Sequence, residues 1–428
     1  MSTVVIGAGL AGLAAARSLT RAGEDVVVLE AQPFVGGRTR TLRDRLRHGQ
    51  PADLGASFID IGQDKLLQYC DELGVALTPQ VALFPSDPDG RLTAASPLRT
   101  TLVIGGRRLS VCERDRLADE VRTALDTTPP EPTEPVLAWT ARAGLTPAAR
   151  NLFCWQTGYN PVHEASQVPM SMFHPPHVGS VCWMMADGTD ALAQALAEGL
   201  DIRLEQPVRA TRRRRGQLVV ETDTDRFSAR DVVVATPVTP TLAIGFDPVL
   251  PDWKVNALLA TPMTQGGKVI GQYADGEVIS RALGLSAMSD GPISLIWARP
   301  TGPEDTVVVL GLLADRADGV LRDEERCLTV LDDLVAAATG TSPRRLAGVV
   351  QDWTQERYAG GVVSMLMGDF PRLPSLLAQS VGPIHFAGEH TAEMWATGMD
   401  GALRSGERAA AEVLQRRSTR QPEPLAVG

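Results

Sequence analysis

The sequence predicts an α/β fold in which a parallel-sheet domain, discontinuous along the chain, carries a second, α+β domain as insertions. Three observations lead there. The chain opens on an apolar run, a glycine-rich turn, a helical stretch and a second apolar run, the pattern of a βαβ unit with a buried sheet. Two later blocks, at about 187–251 and beyond about 382, repeat short apolar strands beside helical stretches. Two less regular stretches, 81–186 and 252–345, lie between them, and 428 residues leave room for two or three domains.

In chain order, Thr3–Ile6 reads as the first strand, Leu13–Ala22 as the helix after the turn, and Asp25–Leu29 as the second strand. The middle block begins with a helix at Ala191–Glu198 and continues in β-like segments, VRAT and QLVVET. The run Arg212–Arg215 and Gly216 sit between those segments, so the arginines mark an exposed hairpin turn rather than a nucleic-acid patch. The third block gives a strand at Ile384–Ala387, a glycine-rich turn and a helix from Met399 to about Gln415. In the insertions, helical patterns flank the Pro-rich linker TTPPEPTEP (127–135). Gly267–Tyr273 and Thr306–Leu313 read as strands, and Glu324–Ala338 as a helix. The first domain is therefore expected over 1–80, 187–251 and 346–417, and the second over 81–186 and 252–345. A polar, Pro-containing tail, 418–428, is expected to be disordered.

Composition removes several function classes. Hydrophobic residues make up 44% and charged residues 21%, which suits a folded chain with a sizeable core. The net charge of −10 argues against a nucleic-acid partner. No run approaches the roughly 18 apolar residues of a membrane span. No positively charged segment precedes the first strand, so secretion is not expected. Cys70, Cys112, Cys154, Cys182 and Cys327 form no C-x-x-C pair and read as reduced thiols in a cytoplasmic protein. His174 and His177 flank two prolines with no third ligand nearby, so no metal site is expected. Trp155, Tyr159, Phe173 and Trp183 cluster in the insertion, as core packing or a pocket wall. One imbalance stands out. Only Lys65, Lys254 and Lys268 of 41 basic residues are lysines, and there are four tyrosines. A GC-rich coding bias accounts for most of this, but a lysine kept against the bias is worth locating.

The first motif with chemistry is GAGLAG. Gly7 permits the tight turn, Gly9 lets a pyrophosphate approach the backbone, and Gly12 lets the helix pack on the sheet. The helix N-terminus offers free N–H groups to phosphates. Glu30 ends the second strand, where a carboxylate can accept ribose hydroxyls. Strand, turn, helix, strand and acid together predict a Rossmann-like dinucleotide site.

Further blocks follow in order: VGGRTRT (35–41), DLGASFI (53–59), ADGTDALAQAL (186–196), VVVATP (232–237), GGKVIGQY (266–273), DWTQERYAGG (352–361) and HFAGEHTAEMWATGMDGALRSGERAA (385–410). On these the chain resembles the flavin-containing amine oxidase family, the monoamine and polyamine oxidases and their relatives, over nearly its whole length. The resemblance implies FAD. Gly7, Gly9, Gly12, Glu30, Gly37 and Arg38 would hold the ADP portion, and Val208 the adenine by its backbone. Gly55, Ala56 and Ser57 would line the flavin, Glu389 would meet the ribityl-pyrophosphate side, and Thr397, Gly398 and Met399 would face the isoalloxazine. Ala31, Trp353 and Gly388 complete the implied cofactor set. Lys268 matches the family lysine that reaches flavin N5 through a water, which makes it the implied catalytic residue.

The departures from the family pattern carry expectations too. Monoamine oxidases of the mammalian type bind flavin through a cysteine and flank it with two tyrosines; Val362, Val363 and Gly398 stand at those positions. Noncovalent FAD is implied, and a substrate larger than a simple monoamine. No arginine follows the Gly-Ala of GASFI, where an amino-acid oxidase clamps its carboxylate. Phe58, Trp183, Val363 and Trp395 are candidate pocket residues. The expected reaction passes hydride from the carbon beside an amine or amide-type nitrogen to flavin N5, giving an imine. Reoxidation by O₂ then gives H₂O₂. A related FAD desaturase or porphyrinogen-type oxidase acting on carbon is an alternative, as is a non-catalytic flavin-binding protein. A role in specialised metabolism and a homodimer are further expectations.

Overall fold

The computed structural model describes residues 2–81, 100–131, 133–156, 170, 181–214, 216–284, 286–315, 318–365 and 372–419. The apolar runs TVVI, VVVL and DVVV have no polar face to turn to water, and each is buried on both sides. They form the centre of a five-stranded parallel sheet in the order Asp201–Arg203, Val26–Leu29, Thr3–Ile6, Asp231–Val234, Ile384–Phe386. Side chains alternate across it. Val5, Val28 and Val233 pack under the helices Leu10–Arg21, Asp190–Ala197 and Met399–Thr419. Val4, Ile6, Val232 and Val234 pack on the other face against Leu218 and Val220 of a four-stranded sheet. In that smaller sheet Val208–Arg214 and Gln217–Thr222 make the expected hairpin. Three of its arginines are paired: Arg209 with Asp223, Arg212 with Glu221 and Arg214 with Asp247.

The second layer is a seven-stranded, largely antiparallel sheet in the order Arg345–Asp352, Gly266–Tyr273, Val307–Ala314, Ile293–Ala298, Ser286–Ser289, Thr100–Ile104, Arg107–Arg108. One face, including Val269, Tyr273, Ile296, Val309 and Leu313, packs on the helix Glu324–Thr339. The other, including Ile270, Leu295, Trp297 and Leu310, faces Ala52 and Leu54 of the first domain. The α/β fold, a Rossmann-like domain plus an α+β domain, is as the sequence predicts.

Three details differ from the sequence reading. Arg345–Asp352, placed by sequence with the first domain from 346 onward, pairs along its length with Gly266–Tyr273, and the chain turns back toward the first domain only beyond it, from Trp353 on. The first helix starts at Leu10, because Gly9 is its N-cap. The last helix runs to Thr419, past the expected start of the tail, and 420–428 lie outside the described residues. Tyr159, Phe173, His174 and His177 also lie outside them, as does the side chain of Trp155. Among the described residues no helix is long and apolar enough to cross a membrane, and no cluster of acidic, histidine or cysteine side chains could hold a metal ion.

Candidate active site

A cavity of about 530 Å³ runs from the C-terminal ends of the parallel strands to the inner face of the seven-stranded sheet. Strands that end side by side leave their following loops along one edge, so residues distant in sequence share its wall. Gly7, Glu30, Thr236 and Gly388 follow four of the five strands and all line it.

At the nucleotide end two glycine loops lie against each other. Gly36 N–H donates to Ala8 O at 2.8 Å, and Gly9 pairs with Gly36. Gly36 has φ +109° and Gly37 φ +58°, which L side chains adopt only with strain. Gly12 does not reach the cavity: a Cβ there would lie 1.9 Å from Gly7 O, so it sets how closely helix meets turn. No side chain caps the helix at Gly9, which leaves first-turn N–H groups for an anion. Glu30 accepts from Ala8 N at 2.6 Å and Gln32 N at 2.9 Å, and burial pushes its carboxyl above the usual range. Ala31 and Val208 complete this wall.

Midway, Arg38 Nη1 donates to Glu389 Oε1 at 2.6 Å and to Val362 O at 3.2 Å. Ser364 N and Oγ donate to the same Glu389 oxygen at 3.1 and 2.8 Å. Burial alone would raise the Glu389 carboxyl, but the Arg38 guanidinium holds it below its ordinary value. Its second oxygen, Oε2, is buried without a hydrogen bond, an acceptor that suits a hydroxyl or phosphate-bearing ligand. Burial likewise pushes the His390 imidazole down to about 4. Thr397, a β-branched residue at φ +66°, sits where Gly398 and Met399 start the last helix, and all three line the cavity.

At the far end the strap Gly55-Ala56-Ser57 crosses the mouth of the seven-stranded sheet. A Cβ on Gly55 would lie 1.7 Å from Arg38 O, so only glycine fits. Trp353 Nε1 donates to Leu54 O at 2.7 Å and braces the strap from the other side. Lys268 is 4% exposed, and its Nζ donates to Ser57 Oγ at 2.6 Å and Asp53 O at 3.0 Å. The ammonium lies 5.0 Å from the Trp297 ring centroid. Burial pushes it down to about 7; the Asp53 carboxylate opposes that and Arg299 adds to it. Phe58 and Trp297 form a tilted pair with centroids 4.8 Å apart.

The structure thus brings Gly7, Gly9, Glu30, Ala31, Gly37, Arg38, Gly55, Ala56, Ser57, Phe58, Val208, Lys268, Trp353, Val363, Gly388, Glu389, Thr397, Gly398 and Met399 to one cavity. Trp183 and Trp395 are not among its lining residues. Trp183, in the strand Val181–Met185, packs against the core under the helices; Trp395 donates its Nε1–H to Gly62 O at 3.0 Å. The sequence reading missed Trp297 and Leu312 as wall residues, while Val362, read as standing where a flavin-linking cysteine would be, lines the cavity. ISLIWA is an unbroken apolar strand, and nothing in it distinguishes a core tryptophan from a wall tryptophan. A period-2 alignment with GGKVIGQY would have shown which side chains share the Lys268 face.

Comparison with known proteins follows the same pattern. A profile of the family described as "Flavin containing amine oxidoreductase" matches residues 10–414. The Mycobacterium tuberculosis protein named "Putative flavin-containing monoamine oxidase AofH" is 31% identical over 444 residues, covering 96% of each chain. Human "Amine oxidase [flavin-containing] B" is 26% identical, covering 96% of this chain and 85% of its own. Putrescine oxidase bound to putrescine and cyclohexylamine oxidase from Brevibacterium oxydans IH-35A share the fold. Each has a TM-score of 0.79 and 22% identity over 97% of this chain and 99% of its own. The protein therefore belongs to the flavin-containing amine oxidoreductase family and is an amine oxidase-like flavoenzyme.

Proposed function

We propose that this protein binds FAD noncovalently and oxidises an amine whose reacting nitrogen sits on a skeleton larger than that of a simple monoamine. The observation that carries the proposal is Lys268, a buried amine anchored on Ser57 and Asp53 at the end of the cavity that the apolar walls close. FAD held there would supply the redox chemistry, accepting hydride from the carbon next to nitrogen to give an imine and a proton, and passing the electrons to O₂ to give H₂O₂.

The chain's own residues position, desolvate and hold a proton. The first helix N-terminus and Arg38 would receive the pyrophosphate, Glu30 and Glu389 the hydroxyls, and the 55–57 strap and 397–399 turn the ring system. Phe58, Trp297, Leu312, Val362 and Val363 exclude water from the reacting carbon. Lys268 would hold a water at the flavin edge through its remaining N–H. No described side chain there is placed to act as a strong base. Val362 offers no sulfur for a covalent link, and Cys70, Cys112, Cys182 and Cys327 do not line the cavity. With Val363 and Gly398 in place of two aromatic walls, the site has room for a wider substrate. Residues 1–80, 187–251 and 346–417 would form the FAD domain apart from the strand Arg345–Asp352, and the insertions the substrate domain.

The test is anaerobic addition of an amine panel, from small primary amines to bulky secondary ones, while following the oxidised flavin band. Bleaching by the larger members is expected. Bleaching by no amine, but by a precursor of an unsaturated product, overturns the proposal in favour of chemistry on carbon.

A further inference from the structure

Lys268 belongs to a buried group of three charges. Asp53, fully buried, accepts from Thr189 N at 2.8 Å, Thr41 Oγ1 at 3.0 Å and Thr189 Oγ1 at 3.2 Å on one oxygen. Its other oxygen accepts from Arg299 Nη1 at 3.1 Å, and its backbone carbonyl accepts from Lys268 Nζ. Arg299, 6% exposed, spends its second nitrogen on Met185 O at 3.0 Å and Ala186 O at 2.8 Å. Neither Asp53 nor Arg299 lines the cavity, so neither touches a ligand there. The pair instead ties three segments together: the strap beside Lys268, the end of Ile293–Ala298, and the turn after Val181–Met185.

We propose that Asp53 and Arg299 are positioning residues that fix the Lys268 amine at the cavity end and set its proton affinity through their balanced charges. The inference rests on reading Lys268 as the lysine of the active site. With Lys268 protonated the three groups carry one uncompensated positive charge in a buried setting; with it neutral they sum to zero. A buried site favours the balanced state. The burial-driven fall of the Lys268 amine to about 7 is in keeping with this. Other charges near the group are farther out and paired or exposed. Arg43 pairs with Asp190 at 2.7 Å and bonds Asp187 O, while exposed Asp187 faces Arg299. Asp352, on the neighbouring strand, accepts from Thr354 N at 2.8 Å.

The charge count makes a signed prediction. Removing the Arg299 charge lets protonated Lys268 balance Asp53, so its titration moves up. Removing the Asp53 charge leaves two cations together, so it moves down. A pair that served only as a structural staple would give no such opposition.

The full-length, flavin-loaded protein labelled with ¹³Cε-lysine gives three lysine resonances, and the Lys268 signal is the one lost in Lys268→Met. Arg299→Met is expected to raise its titration midpoint by about one pH unit and Asp53→Asn to lower it by a similar amount. Arg299→Lys should return it close to the parent. Either arm decides if the other variant does not fold. A midpoint that stays put or moves the wrong way overturns the pair's role. Unchanged flavin reduction in Lys268→Met would instead remove the lysine from the reaction, and leave the titration result standing.

Discussion

Gly406 lies where the two helices that begin at the cavity cross. A Cβ there would sit 2.2 Å from Ala11 O and 3.0 Å from Ala14 Cβ. Ordinary contact begins near 3.4 Å, so Gly406→Ala must push the helices apart by more than 1 Å, against main chain that cannot swing away. Alanine improves helix propensity by about 1 kcal/mol, while overpacking a tight core contact costs about 1–3 kcal/mol. Contact with backbone places this site at the upper end, so a net loss of about 1–2 kcal/mol is expected. The displacement also reaches function. Leu10–Arg21 starts at Gly9, and Met399–Thr419 starts at the 397–399 turn, both lining the cavity. Flavin affinity should therefore fall about tenfold, equivalent to about 1.4 kcal/mol. Thermal melts with and without added FAD, and fluorescence titration of the apoprotein with FAD, measure the two effects. A Gly406→Ala protein that melts no lower than the parent and binds FAD equally tightly would refute the view that this crossing sets the cofactor cradle.

Lys268→Met should keep its flavin yet slow reduction or reoxidation at least tenfold, about 1.4 kcal/mol, as read by anaerobic stopped flow. Acid precipitation should release all the FAD into the supernatant; flavin on the pellet would contradict noncovalent binding. Trp353→Phe removes the indole N–H that donates to Leu54 O at the strap and should lower stability by about 1–3 kcal/mol, visible in denaturant melts. Buried His385 meets Ser380 and Glu412 through Nδ1, with Asp231 3.7 Å from Nε2. Burial alone would lower it, but the two carboxylates win and raise it above its ordinary value. Its contribution is thus fully present below the unfolded histidine value of about 6.5 and lost as pH rises through the folded one. The Tm gap between parent and His385→Gln should be larger at pH 5.5 than at pH 9, and parallel curves would sink this assignment.

Lysine scarcity shows how far composition reaches. It singles out Lys268, but it singles out Lys254 equally. Lys254 is fully buried and is also pushed down to about 7, first by its burial. Its Nζ donates to Leu376 O and Leu377 O at 2.9 and 2.8 Å, the end of a short helix, and lies 4.0 Å from the Phe386 ring centroid. It lines no part of the cavity. A rare residue marks a place where substitution is costly, and the cost can be packing as readily as chemistry.

The sequence by itself determined the parallel sheet, because TVVI, VVVL and DVVV have no face to show to water. It also determined the glycine turn, because Gly7 and Gly12 answer to local backbone geometry. Local rules of that kind are written in neighbouring residues. Tertiary structure alone decided that Arg345–Asp352 joins the other sheet, that Trp297 walls the cavity while Trp183 and Trp395 do not, and that Asp53 finds Arg299, 246 positions away. A buried charge states a need for a partner but not its address. Only the meeting of the two sheets supplies it.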